Sequence, residues 1–98
     1  MEIGVNHGEN LVFSIKGRLD TVTSPELLEA FEKEVIAENL VVIDFATLDY
    51  ISSAGLRALL AIKKDLASKG KQFEVCNLNQ ICTEVFKVTG FINVLTVK

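Results

Sequence analysis

The sequence predicts an α/β fold in which a mostly parallel sheet carries one antiparallel edge strand, in the order β-β-α-β-α-β-α-β. Three observations lead there. Alternating apolar residues open the chain as a hairpin. Behind it, strand-like and helix-like patterns take turns, which calls for right-handed crossovers between parallel strands. The 98 residues, 49% hydrophobic with one proline and 23% charged, suit one compact domain over residues 1–98, able to bury about 65% of its unfolded surface.

Taking the elements in order, Ile3 and Val5 alternate with polar neighbours, as do Leu11, Phe13 and Ile15, around the turn His7-Gly8-Glu9-Asn10. This is a β-hairpin with one face toward the core. His7, the only histidine, falls in that turn and reads as a solvent residue rather than a ligand or a base. Gly17 to Thr23 then leaves the strand. Ser24-Pro25-Glu26 is a helix start with Ser24 as cap and proline at the first helical position. Leu27, Leu28, Phe31 and Val35 lie on one stripe of a helix ending near Glu38 or Asn39.

Leu40 to Phe45 reads as a strand, and the unbroken apolar run Leu40-Val41-Val42-Ile43 predicts that both its faces are covered. A loop over 46–53 leads into a helix from Ala54 to Ser68, with apolar positions at Leu56, Leu59, Leu60, Ile62 and Leu66 and a stop at Gly70. Phe73, Val75 and Cys76 form the next strand. A short helix then carries Ile81, Val85 and Phe86 and ends at Gly90, and Phe91 to Val97 is the last strand.

Composition removes several function classes. A net charge of -3 with no basic block argues against nucleic acid, because phosphate-backbone binding needs clustered Lys and Arg. Lys63, Lys64, Lys69 and Lys71, interrupted by Asp65, read as a solvated helix face. No segment is long and apolar enough to span a bilayer, and Met1-Glu2-Ile3-Gly4 lacks a basic-then-apolar signal, so no membrane role and a cytoplasmic location are expected. Cys76 and Cys82 show neither metal-ligand nor disulfide spacing and read as reduced packing residues. No metal site and no cofactor are expected.

In open α/β sheets, sites gather at the carboxyl ends of parallel strands. Loops 17–24, 46–53 and 77–80 leave from that edge, which gathers Asp20, Thr21, Thr23, Ser52, Ser53, Asn77 and Asn79 on one polar rim. The central feature is Asp49-Tyr50-Ile51-Ser52-Ser53-Ala54-Gly55-Leu56, which presents two hydroxyls where a helix begins. Unpaired amides and a partial positive charge suit an anion at such a place. A nucleophilic role fails, because neither serine is flanked by glycine on both sides and no histidine is near to act as base. No catalytic residue is therefore expected. A phosphate acceptor and a plain helix cap both remain open on the residues alone. Asp20 reads either as a recognition residue or as a turn former, and Arg57 either as a partner to phosphate or as an ordinary exposed arginine.

The combination of Gly17-x-Leu19-Asp20 after the hairpin, Asp49 to Arg57 and the whole element order resembles the STAS domain family of bacterial anti-sigma-factor antagonists. The likeness runs the length of the chain. The resemblance implies a non-enzymatic module that binds and sequesters an anti-sigma-factor serine kinase, freeing a sigma factor, and is switched off by phosphorylation. Registered on Gly55-Leu56, the acceptor is Ser53, with Ser52 as the alternative because many members carry Asp there. The resemblance further implies partner contacts at Asp20, Thr21, Thr23, Ser52, Ser53, Ala54, Gly55, Arg57 and Asn77, and a serine phosphatase that resets the switch. The competing readings are an unphosphorylated STAS scaffold and a ligand-binding module.

Overall fold

A computed structural model describes all of residues 1–98. The order is β1 (Glu2–His7), β2 (Leu11–Leu19), α1 (Ser24–Glu32), β3 (Leu40–Ile51), α2 (Ser53–Ser68), β4 (Gln72–Cys76), α3 (Gln80–Thr89), a 3-10 turn (Phe91–Asn93) and β5 (Thr96–Val97). β1 pairs antiparallel with β2, and β2 to β5 are parallel. The five strands lie side by side in chain order.

That order decides where the helices go. Each right-handed crossover steps one strand further in the same direction, so each lays its helix on the same face of the sheet. One core results: Leu11, Phe13, Ile15, Val41, Ile43, Phe45 and Val75 from the strands meet Leu27, Phe31, Leu59, Ile62, Leu66, Cys82 and Phe86 from the helices. Phe13 packs on Phe31, and Phe45 meets Phe86 edge-on with ring centres 6.1 Å apart. The expectation that β3 is covered on both faces is thus overturned. Val41, Ile43 and Phe45 are buried, whereas Leu40, Val42 and Asp44 are only half-buried on the open face.

The element boundaries bring further corrections. Thr23, not Ser24, occupies the cap of α1, with helical backbone angles. Its hydroxyl is already engaged, donating to the Arg18 carbonyl at 2.6 Å and accepting from the Asp20 amide at 2.9 Å. Ser24 sits inside the first turn and is buried, donating its hydroxyl to the Asp20 carbonyl. α1 stops at Glu32 rather than near Glu38, and Val35, which a longer helix would bury, is 87% exposed. Residues 33–39 form instead an irregular strap whose Ile36 packs against the core.

β3 absorbs most of the expected loop 46–53. Its polar stretch is a pair of irregularities, not an exit: pairing to β2 shifts register between Ser14 and Lys16 and again between Gly17 and Arg18. Side chains replace the missing ladder bonds there. Asp44 Oδ1 accepts from the Ala46 amide at 2.9 Å, and Thr47 Oγ1 donates to the Ile15 carbonyl at 3.0 Å.

In α3 it is Cys82 and Phe86 that are buried, while Ile81 is 57% exposed. Gly90 ends this helix at φ +79°, a left-handed conformation that glycine adopts without steric cost. Only Thr96–Val97 of the expected last strand pairs with β4, because Phe91–Asn93 coil into the 3-10 turn, with Phe91 edge-on to Phe86. His7 is the last residue of β1, and both ring nitrogens contact carboxylates, so it is not a free solvent residue. No helix is long and apolar enough to cross a membrane.

Candidate functional site

Because β3 runs on to Ile51, strand and helix meet at a single residue. Ser52 has extended backbone (φ -97°, ψ 176°) and caps α2, its Oγ accepting from the Gly55 amide at 3.4 Å. Its own amide donates to the Leu19 carbonyl at 2.9 Å, which locks the end of β2 to the end of β3. Ser53 follows as the first residue of α2 and is exposed, whereas Ser52 is half-buried. The hydroxyl of Ser53 therefore stands in solvent at a helix N-terminus, where first-turn amides lack partners within the helix.

Gly55 explains how the helix can start so close to the strands. A Cβ there would sit 2.7 Å from Ile51 Cγ1 and 2.9 Å from the Leu19 carbonyl oxygen. Gly55 is buried, so it shapes the surface from beneath. Ala54 is half-buried, and Arg57, one turn along α2, is exposed.

The β2–α1 turn forms the neighbouring wall. Asp20 Oδ1 accepts from the amides of Val22 and Thr23, both at 3.0 Å, and from Thr23 Oγ1 at 3.1 Å. Bonds from the Thr23 amide, then the Thr23 hydroxyl and Val22 amide, with the Arg18 charge behind them, hold the Asp20 carboxyl below its ordinary range. Asp20 thus organises the turn. Thr21 and Val22 project from it, and Val22 is 77% exposed. The Arg18 guanidinium lies over the Tyr50 ring, 4.7 Å from its centre.

Asn79 ties in the third segment. Its Oδ1 caps α3 by accepting from the Cys82 amide at 2.8 Å, while its Nδ2 donates to the carbonyls of Leu48 and Asp49 at 3.1 and 3.2 Å. Asn77 does not join this group. β4 ends beside Asp44, so Asn77, at φ +59°, bonds Asp44 Oδ1 at 2.9 Å, about 20 Å down β3 from Ser52. The structure thus brings Asp20, Thr21, Thr23, Ser52, Ser53, Ala54, Gly55 and Arg57 together and leaves Asn77 apart. The sequence reading missed Val22, whose exposure in the β2–α1 turn only a structure could reveal.

A sheet whose strand order never reverses has no switch point, and so no crevice at its carboxyl edge. The three surface cavities lie elsewhere: between α1 and α2, beside β1, and between α2 and β4. No group of three or more His, Cys, Asp or Glu side chains could hold a metal ion.

Comparison with known proteins places this architecture. The family model described as the STAS domain matches residues 3–98. The chain belongs to the STAS domain family. The anti-sigma factor antagonist BtrV of Bordetella bronchiseptica is 33% identical to this STAS protein over 88 residues, covering 89% of this chain and 76% of the relative. The crystal structure of an anti-sigma factor antagonist from Mycobacterium paratuberculosis superposes with a TM-score of 0.85 at 26% identity, over 98% of the STAS chain and 83% of that one. The unphosphorylated form of the anti-sigma factor antagonist SpoIIAA shares the fold, with a TM-score of 0.82 at 16% identity, over 99% and 88% of the two chains.

Proposed function

We propose that this protein is an anti-sigma-factor antagonist whose unphosphorylated form binds and sequesters an anti-sigma-factor serine kinase, and whose Ser53 is the phosphate-accepting switch. The carrying observation is the exposed Ser53 hydroxyl at the first turn of α2, on a rigid rim with no cavity beneath it. A hydrogen-bonded surface without a cavity suits docking onto another protein better than enclosing a small ligand. The names of the curated relative and of the solved antagonists support the same reading.

Ser53 rather than Ser52 is the acceptor because the Ser52 oxygen is engaged in the cap and half-buried. Thr21, Val22 and Arg57 supply the surrounding contacts, with Asp20, Thr23 and Gly55 holding the surface in shape. Phosphorylation adds about -1.5 to -2 charges. The start of α2 accommodates a phosphate in the free protein, but at a docked interface the dianion is desolvated and meets the like charge of Asp20. A penalty of about 2–4 kcal/mol weakens binding roughly 30- to 700-fold. Docking is therefore weakened without refolding, and a serine phosphatase restores it. No chemistry is catalysed by the module itself.

Incubation with ATP and the cognate kinase should add the mass of one phosphate to wild type and none to Ser53→Ala. Ser53→Ala should hold the kinase constitutively, and Ser53→Asp, with about half the charge, should release it incompletely. Equal capture of the kinase by wild type, its phosphorylated form and Ser53→Glu would refute the switch.

A further inference from the structure

His7 lies at the opposite end of the sheet from Ser53. Its strand neighbour Leu11 pairs with Val41, about 30 Å along β3 from Ile51. Nε2 is 2.7 Å from Glu34 Oε1, and Nδ1 is 2.8 Å from Glu38 Oε2. A neutral imidazole has one N–H and one lone pair, and a lone pair cannot bond a carboxylate oxygen. Both contacts are hydrogen bonds only when the ring carries two protons. Both acids belong to the strap, residues 33–39. The Glu38 side chain is 9% exposed, and its second oxygen, Oε1, is buried with no partner, so His7 is the one side chain that bonds its carboxylate.

We propose that His7, Glu34 and Glu38 form a proton-controlled latch that fastens the strap to the N-terminal hairpin and lets it go when the imidazole becomes neutral. The other charged groups nearby do not replace it. Lys71, at the start of β4, donates its ammonium to the Glu38 carbonyl at 2.8 Å rather than to the carboxylate. Lys33 is paired with Glu29. Glu9 lies two positions along the hairpin, and Leu11, opposite on β2, is uncharged.

The hydrogen bonds from Glu34 and then Glu38 raise the His7 pKa above 6.5. Its contribution is therefore complete below the unfolded value and vanishes as pH climbs through the folded one. Glu38 is held below 4.5 by its own amide and then by His7, so its contribution vanishes only as pH falls through that lowered value. The latch is closed between these limits and opens on the alkaline side. Opening releases a segment whose Ile36 lines a cavity of mixed character, with Leu28, Phe31 and Ile62 on one side and Asp65 and Lys69 on the other.

The test combines NMR titration of the His7 ring with amide hydrogen exchange of peptides covering 2–7 and 33–39, corrected for intrinsic rates, from pH 5.5 to 8.5. His7 should titrate above 6.5, and strap protection should fall as pH rises toward that midpoint, by no more than about tenfold per pH unit for one proton, and level off beyond it. His7→Gln and Glu38→Gln should remove the step while leaving protection around Ser53 unchanged. A ring titrating at or below 6.5, or a protection step that persists in His7→Gln, would overturn the latch. The wild-type titration decides the matter even if a variant fails to fold, and neither readout involves kinase binding.

Discussion

Replacing Ser52 by alanine removes the oxygen that accepts the Gly55 amide. At 3.4 Å that bond is long, so the loss should fall toward the lower end of the cap range, about 0.5–1 kcal/mol. Urea denaturation would show it, and phosphorylation at Ser53 should survive. Ser53→Ala should do the reverse, abolishing modification with stability unchanged within about 0.5 kcal/mol. Gly55→Ala combines both scars. The new methyl meets Ile51 and a carbonyl oxygen inside contact distance, so a loss of about 1–3 kcal/mol is expected. Weaker kinase capture should accompany it, because Ser53 shifts with the helix start.

Among the elements, α3 offers the cleanest test. Asn79 both caps it and bonds the end of β3. Asn79→Ala should cost about 1–2 kcal/mol, read as a lower urea midpoint with an unchanged slope. α3 also shows what periodicity conveys, since its span and its Gly90 stop follow from pattern and turn chemistry. The end of α1 does not. No glycine or proline interrupts Glu32 to Asn39, and the helix stops because the strap finds better partners in His7, Lys71 and the core around Ile36. The bonds from Glu38 to His7 and Lys71 join residues 31 and 33 positions apart, beyond the reach of any local pattern. Ala46 and Thr47 likewise fell in an expected loop, because side-chain bonds that repair a bulge have no signature in one sequence.

For the whole molecule, the strand directions and edge hairpin were legible because crossover handedness leaves few choices. The apolar run at Leu40 pointed to a two-sided sheet only because chain order across the sheet was not yet known. With a single core, each large side chain matters. Phe86→Ala, which removes a fully buried ring packed edge-on to Phe45 and Phe91, should cost about 3–5 kcal/mol. That is a large share of the roughly 5–15 kcal/mol of a typical domain, so a steep fall in melting temperature and in soluble yield is expected. The site itself was legible where it rests on one contiguous motif, from Asp49 to Arg57. It was illegible where strand lengths decide, as at Asn77, which β4 leaves stranded beside Asp44.

A sheet whose spatial order repeats its chain order also has a history written into it. During synthesis the hairpin leaves the ribosome ahead of the other strands and offers an open border. Each later strand then arrives beside the one that preceded it, with no gap held for a segment not yet made. The growing chain can thus be zipped up from its amino end. The short strand Thr96–Val97 then pairs beside β4 and forms the far edge of the sheet.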